Sequence, residues 1–424
     1  MATLELQRPR GTQDILPSES PNWQLVETAA HRVAQSFGYA EIRTPMFEHV
    51  EVFRRGVGDA TDIVEKEMYE FEDHGGRSLV LRPESTAAVA RALLQASAFS
   101  ELPLRLYYLQ RHFRYERPQS GRLREHTQFG VEVYGAPGPL ADAEVIALAQ
   151  SFLAALGLRN LSVRINSIGD DQCRPAYRAA LLAHLTAHEE ELCADCRRRM
   201  ERNPLRVLDC KNPGCRRVVA AAPQTLDHLC DDCRGHLEGV EQALSALGIA
   251  YARDPSIVRG LDYYTRTVFE VQYEKLGAQS TVCGGGRYDG LVESLGGARQ
   301  PGVGFGLGIE RLLLTLQEES LLPAQEESVD AYVAAIGEEL GPEAMRIAQR
   351  LRGAGLRVEQ EILSRSLRAQ LRRAQKLHAA QVVILGPQEF LRGVAVLRDM
   401  GSSQQEEVPI EDLPARVGAA VSRN

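Results

Sequence analysis

In "QPGVGFGLGIERLLL", residues 300–314, glycine occupies positions 302, 304, 306 and 308. Side chains alternate between the faces of a strand, so one face of this segment is bare backbone. Glycine weakens a strand, and such a row makes sense where a ligand or another backbone comes close; the alternative is a tightly packed core strand. The helix expected next carries Arg311 in its first turn. The spacing is not that of a dinucleotide fingerprint, because Leu307 and Ile309 stand where the last glycine of G-x-G-x-x-G should be.

A second segment alternates in a different way. In "FRYERPQSGRLREHTQFGVEVYG", residues 113–135, one face from 126 onward carries His126, Gln128, Gly130, Glu132 and Tyr134. The other face carries Thr127, Phe129, Val131 and Val133, the pattern of a sheet packed on a core. An antiparallel hairpin through the "RPQSGRLR" loop brings Arg114 and Glu116 near the polar row. Strand rise places Gln128 and Glu132 roughly 13 Å apart, which predicts room for a small polar molecule over Gly130. On the hairpin alone, a solvated face with cross-strand ion pairs fits equally well.

The chain has 424 residues, 44% of them hydrophobic, enough for two or three cores. Its net charge of −8 argues against sequence-blind binding to polyanions and leaves room for a local basic patch. No apolar run approaches the roughly 18 residues of a membrane span. The start, "MATLELQRPRG", lacks a signal-peptide core, so a cytoplasmic protein is expected. Helical spacing covers "PNWQLVETAAHRVAQSFG" and "ADAEVIALAQSFLAALGL". "SLVLRPESTAAVARALLQ" predicts a strand ending near Pro83 and then a helix. Long strands without regular helical crossovers imply a mostly antiparallel sheet. Residues 172–250 are helical and rich in cysteine, as an insertion would be. After a linker, "SLLPAQEES", four strand-like segments begin at Val329, and helix-like stretches near 341–354 and 364–380 separate the first three. That alternation predicts a small α/β domain. The expected division is a catalytic domain over 1–325 and an α/β domain over 326–424.

These residues together resemble the histidyl-tRNA synthetases, a family of class II aminoacyl-tRNA synthetases. "GYAEIRTPMFE" is similar to the first class II motif, "FRYERPQSGRLREHTQFGVEVYG" to the second, and "GVGFGLGIERLLL" to the third. "RGLDYYTRTVFEV" (259–271) and "CGGGRYDGLV" (283–292) are similar to the two histidine-specific signatures, and "PRGTQDILP" also fits. The resemblance implies an α+β fold: a class II antiparallel sheet flanked by helices, a helical insertion, and a C-terminal α/β anticodon-binding domain. It implies a homodimer with the first motif at the interface. It further implies a histidine–tRNA ligase that converts L-histidine and ATP, with Mg²⁺, to histidyl-adenylate and pyrophosphate. Histidine then passes to the 3′ end of tRNA(His).

Site residues carry over by position. Arg114 is expected at the α-phosphate and the histidine carboxylate, where a planar guanidinium makes paired hydrogen bonds. Glu84, Thr86 and Gln128 are expected at the α-ammonium. Glu132 and Tyr264 are expected at the two imidazole nitrogens, a two-ended clamp suited to that ring. Tyr288 lines the same pocket. Tyr263 belongs to the histidine set by resemblance, although alternation from Tyr264 turns it toward packing. Arg259 is expected beside the α-phosphate, stabilising charge at phosphorus. Glu116, Arg122 and Arg311 serve ATP. Where the family usually stacks phenylalanine on adenine, "REHTQ" places His126.

Arg365, Arg368, Arg372, Arg373 and Lys376 share a helix-like stretch and are candidates for tRNA phosphate contacts as well as for a solvated face. "CADC" (193–196) and "CDDC" (230–233) flank "CKNPGC" (210–215). Paired Cys-x-x-Cys units of this kind make Cys193, Cys196, Cys230 and Cys233 candidates for structural Zn²⁺, and small apolar packing is the alternative. Cys173 and Cys283 are expected to be plain packing residues. A different class of function is a non-catalytic, histidine-binding relative of the ATP phosphoribosyltransferase regulatory subunit. Such a chain would be expected to lose the catalytic arginines and the last domain. A zinc-dependent nucleic-acid module would leave most of the chain unexplained.

Overall fold

The structure, a computed structural model, describes residues 6–58, 61–159, 161–208, 210–258, 261–273, 281–323 and 328–421. The chain forms two compact units, Met1–Pro323 and Ala324–Asn424. The strands of the first are β1 (Ala40–Glu41), β2 (Phe47–His49), β3 (Tyr69–Glu72), β4 (Ser78–Leu81), β5 (Leu104–Phe113), β6 (Glu125–Tyr134), β7 (Leu161–Ser167), β8 (Tyr251–Arg253), β9 (Thr265–Tyr273), β10 (Thr281–Arg287) and β11 (Gly302–Gly308).

Among the described residues, eight of these make one sheet in the order β1-β5-β6-β11-β10-β9-β7-β8. The pairings from β5 through to β7 are antiparallel, and only the outer β1 and β8 join in parallel. The hydrophobic alternation decides which face is inside. Phe129, Val131, Val133, Phe305 and Leu307 are buried against helices Ser20–Ser36, Pro139–Ala155 and Ile309–Glu318. The opposite face holds Tyr108, Tyr134, Val268 and Tyr288 against helices Val50–Val57 and Thr86–Gln95. The small sheet β2-β4-β3 precedes the second of these helices.

The insertion is helical, with helices Arg174–Ala187, Ala194–Arg202, Pro213–Ala220 and Asp231–Ala246. Tyr177, Leu181, Leu185, Met200 and Val207 give it a small core of its own.

In the second unit β12 (Ala331–Ala335) lies between β13 (Val358–Gln360) and β14 (Gln381–Leu385), parallel to both. β15 (Val394–Asp399) and β16 (Gln405–Pro409) extend the sheet antiparallel. Helices Gly341–Gly353 and Leu367–Lys376 make the crossovers. β16, "QEEVP", is an edge strand with one buried residue, Val408, so its hydrophobic pattern is too sparse to be read from sequence. The expected helix near 364–380 begins only at Leu367, after Ser364 in a left-handed conformation (φ 48°). Arg365 therefore precedes that helix.

Candidate active site

The polar face of the sheet forms the floor of a cavity of about 750 Å³. Strand register explains its shape. Gly306 of β11 lies between Gly130 of β6 and Gly284 of β10, and Gly304 lies between Glu132 and Gly286. Glycines thus adjoin across three strands, and the backbone itself becomes the floor. The row is not uniform. A methyl group at Gly302 would meet the Tyr288 ring at 2.5 Å, and one at Gly306 would meet Gln128 Oε1 at 3.2 Å. One at Gly308 would meet nothing within 4 Å.

The expectation that a ligand lies directly over Gly130 is corrected by the neighbouring strand. Tyr108 is paired opposite Gly130, and a methyl group there would sit 2.3 Å from Tyr108 Cζ. The ring fills the bare position, so the open floor is displaced to Gly306 and Gly308. Tyr108 was missed in the sequence because cross-strand register is not visible in one strand's alternation.

At one end Thr86 and Tyr288 line the cavity, and Glu132, 1% exposed, lies behind them, outside the lining and enclosed by hydroxyls. Thr86 Oγ1 donates to its Oε1 over 2.8 Å, and the Tyr288 hydroxyl donates to its Oε2. Burial pushes the Glu132 carboxyl up to about 8, against these hydrogen bonds. Tyr263, Tyr264 and Tyr288 form an aromatic wall, with ring centroids 4.7 Å apart for the first two and 5.5 Å for Tyr263 and Tyr288. Tyr263 lines the cavity beside Tyr264 rather than turning away from it. Glu84 accepts from the backbone N–H groups of Thr86 (2.8 Å) and Ala87 (2.9 Å), capping helix Thr86–Gln95. Burial raises its pKa and these donors oppose the rise.

The other end is basic. Arg114 donates from Nε to the carbonyl of Pro83 over 2.8 Å, which aims the rest of its guanidinium. Arg122 donates to Glu116 Oε2 over 3.3 Å, and Arg311 donates to the carbonyl of Thr281 over 2.9 Å. All four side chains line the cavity with Gln128 and His126. Burial, and next the charge of Arg114, hold the His126 imidazole down to about 3. Its ring meets His112 edge-on at 5.7 Å, and its Nδ1 is buried without a hydrogen-bond partner. A neutral, uncharged ring can stack against an aromatic ligand in the cavity.

The sequence reading missed Glu270 of β9, which accepts from Thr281 Oγ1 over 2.6 Å, and Glu310, pushed up to about 7 by burial. It also missed that Arg206, Lys211 and Arg216 of the insertion reach this cavity. No local pattern in the sequence marks them. Arg259 lies outside the described residues; Val258 and Leu261, on either side of the gap, both line the cavity.

The histidyl-tRNA synthetase family model matches residues 11–312, and an anticodon-binding-domain model matches 330–419. The chain belongs to the histidyl-tRNA synthetase family. It is 51% identical to the histidine–tRNA ligase of Moorella thermoacetica over 404 residues, which covers 95% of this chain and 96% of that one. The ligase of Caldanaerobacter subterraneus is 50% identical over 406 residues, covering 96% and 97%. Among solved structures, the apo histidyl-tRNA synthetase of S. aureus superposes with a TM-score of 0.82 at 35% identity, covering 97% of this chain and 99% of that one. The α+β architecture of antiparallel-rich sheet and C-terminal α/β domain is therefore that of the family.

Two expectations drawn from spacing change. Cys193, Cys196, Cys230 and Cys233 do not converge. Cys193 and Cys196 join Cys210 and Cys215, while Cys230 and Cys233 join Asp170 and Cys173. The reason is helical: each Cys-x-x-Cys opens a different helix, Ala194–Arg202 or Asp231–Ala246. Cys173 is packed in the core as expected, and its sulfur also lies in the second of these groups. The basic run of the second unit is also divided. Arg365 pairs with Glu361 at 3.0 Å and Arg373 with Glu359 at 3.3 Å. Arg368 and Arg372 instead line a shallow concavity with Leu371, Gln375 and Arg398, and Lys376 is exposed beyond it.

Proposed function

We propose that this chain is a histidine–tRNA ligase. It takes L-histidine and ATP, as its Mg²⁺ complex, to histidyl-adenylate and pyrophosphate, and then transfers the histidyl group to the 3′ end of tRNA(His). The observation that carries the reading is one cavity with two chemically different ends: tyrosines backed by the buried Glu132 carboxyl, and the arginines Arg114, Arg122 and Arg311.

In the first step a histidine carboxylate oxygen attacks the α-phosphorus of ATP. The new O–P bond forms as the bond to the β-phosphate oxygen breaks, and pyrophosphate leaves. Arg114 holds both reacting groups through paired hydrogen bonds. Arg122 and Arg311 neutralise the leaving phosphates, and Arg259 stabilises the charge that develops at phosphorus. His126 lies against the adenine. Glu84, Thr86 and Gln128 hold the α-ammonium. Glu132 and Tyr264 take the imidazole nitrogens, with Tyr263 and Tyr288 closing the wall. Mg²⁺ favours oxygen ligands and substrate phosphates, and Glu116 and Glu270 offer carboxylates at that end. In the second step a ribose hydroxyl of the tRNA attacks the activated carbonyl and AMP leaves.

The reading includes a homodimer joined at the first motif. Met46 and Phe47 of that motif are 47% and 56% exposed in the single chain, which is apolar surface a partner would cover. Among the described residues no helix is long and apolar enough to cross a membrane, and we place the reaction in the cytoplasm. Arg368, Arg372 and Lys376 are the proposed tRNA phosphate contacts.

The regulatory-subunit reading is disfavoured by the arginines in the cavity and by the anticodon-domain match. Histidine-dependent exchange of pyrophosphate into ATP, followed by charging of tRNA(His), tests the proposal. Histidine binding without exchange would favour the regulatory reading.

A further inference from the structure

The insertion gathers side chains at two points outside the active site, and each has the spacing of a metal site. At the first, the Sγ atoms of Cys193, Cys196, Cys210 and Cys215 lie within 4.8 Å of one another, with Cys193 and Cys210 at 4.0 Å. At the second, one carboxylate oxygen of Asp170 and the sulfurs of Cys173, Cys230 and Cys233 meet the same limit. There the Cys173 and Cys233 sulfurs are 3.7 Å apart, and Asp170 Oδ1 lies 3.5 Å from Cys173 Sγ and 3.8 Å from Cys230 Sγ.

These separations fit a tetrahedral metal site. Ligands about 2.3 Å from a tetrahedral zinc ion put sulfurs about 3.8 Å apart, and a sulfur about 3.5 Å from a carboxylate oxygen. A disulfide would need its sulfurs about 2.0 Å apart, and all eight cysteines are free.

The surrounding chain supports the same chemistry. Cys193 and Cys230 each stand at a helix N-cap, so their partners Cys196 and Cys233 fall one turn in and the two sulfurs of each pair converge. Cys215 Sγ accepts the backbone N–H of Cys193 over 3.2 Å, and Cys173 Sγ accepts that of Asp170 over 3.2 Å. Such donors stabilise thiolates. Gly169, at φ 69°, lets the chain fold over the Cys173 sulfur, which a methyl group there would meet at 2.6 Å. Arg266 Nη2 donates to Asp170 Oδ2 over 3.3 Å and leaves Oδ1 facing the sulfurs, the outer-shell arrangement that orients a carboxylate ligand.

We propose that the insertion binds two zinc ions, one at a four-cysteine site and one at a site of Asp170 with three cysteines. They serve different bodies. Cys196 and Cys215 belong to the small core of the insertion. Cys173 and Cys233 belong to the core beneath the catalytic sheet, and their site joins residues 60 apart in sequence. The second ion thus ties both ends of the insertion to the sheet.

Metal analysis of the full chain, purified without added zinc and dialysed, is expected to give two zinc ions per chain. Cys196→Ser and Cys233→Ser are each expected to lose one. After cobalt replacement, the Cys233→Ser protein retains the four-sulfur site, so its thiolate-to-cobalt absorption per ion should exceed that of Cys196→Ser. Stepwise mercurial titration of the unsubstituted protein provides a check that does not depend on a variant folding. It should release two zinc ions as seven thiols are modified, four from one site and three from the other. A zinc content of zero or one after zinc titration of the reduced protein, or loss of both ions in either folded variant, overturns the proposal.

Discussion

Thr86 Oγ1 donates to Glu132 Oε1 over 2.8 Å, so the first residue of a helix and the middle of a sheet strand share one buried carboxylate. With the Tyr288 hydroxyl on the other oxygen, Glu132 is held in a single orientation before any ligand arrives. A site with its polar groups already positioned discriminates strongly against a ligand that leaves them unpaired.

Replacing Glu132 by Gln keeps the shape and exchanges one carboxyl oxygen for an N–H₂ group that can only donate. A buried polar group left without its partner costs about 1–3 kcal/mol, so use of histidine at limiting concentration should fall roughly ten- to a hundred-fold. The KM for ATP should change little, because Arg114, Arg122 and Arg311 are untouched. Pyrophosphate exchange measured against histidine and then against ATP separates the two. Parental activity at limiting histidine would remove Glu132 from the clamp.

The same substitution should alter the pH dependence of stability. Burial raises the Glu132 pKa to about 8 in the folded protein, above its ordinary value of 4.5. Between these values the folded state holds a proton that the unfolded state has lost. Stability from this group therefore falls as pH rises, by at most about 1.4 kcal/mol per pH unit. Thermal melting between pH 5 and 8 (roughly the window between the two values) should show Glu132→Gln gaining on the parent toward the alkaline end. Parallel curves would count against the raised pKa.

Gly304→Ala and Gly308→Ala should differ. The first methyl group would meet the carbonyl of Val131 at 2.2 Å and the Tyr288 hydroxyl at 2.6 Å; the second would meet nothing within 4 Å. Overpacking of this kind costs about 1–3 kcal/mol, so Gly304→Ala should melt lower and lose histidine activation. Gly308→Ala should melt close to the parent. Equal melting temperatures would mean that the floor yields at Gly304.

Arg259→His should slow adenylate formation and leave histidine affinity within a few-fold. Loss of one charge-stabilising donor costs about 2.7–4 kcal/mol of barrier, or roughly 10²–10³ in rate. Single-turnover adenylate formation beside equilibrium histidine binding distinguishes chemistry from binding. Near-normal turnover would sink the assignment.

In the second unit, Arg368→Ala with Arg372→Ala should raise the KM for tRNA and flatten its dependence on salt, while pyrophosphate exchange is unchanged. Arg365→Ala should have the smaller effect on tRNA, because that guanidinium is already paired with Glu361 at 3.0 Å. If all the substitutions act alike, the helix is only a charged surface.

The sequence by itself determined the elements whose signal is local. Alternation in 126–134 identified the apolar face of β6, and the glycine row identified a floor strand, because side-chain period and face are properties of one strand. The class II and histidine-specific motifs brought Arg114, Gln128, Tyr264 and Arg311 into one set, and these residues line one cavity. Tertiary structure decided what depends on pairing between distant segments. Register put Tyr108 over Gly130, a relationship between strands that neither strand encodes alone. Folding of the insertion separated two similar Cys-x-x-Cys pairs and gave one of them Asp170 and Cys173 as neighbours. It also carried Arg206, Lys211 and Arg216 to that cavity. Spacing along a chain sets which residues share a face; only the packed chain sets which faces meet.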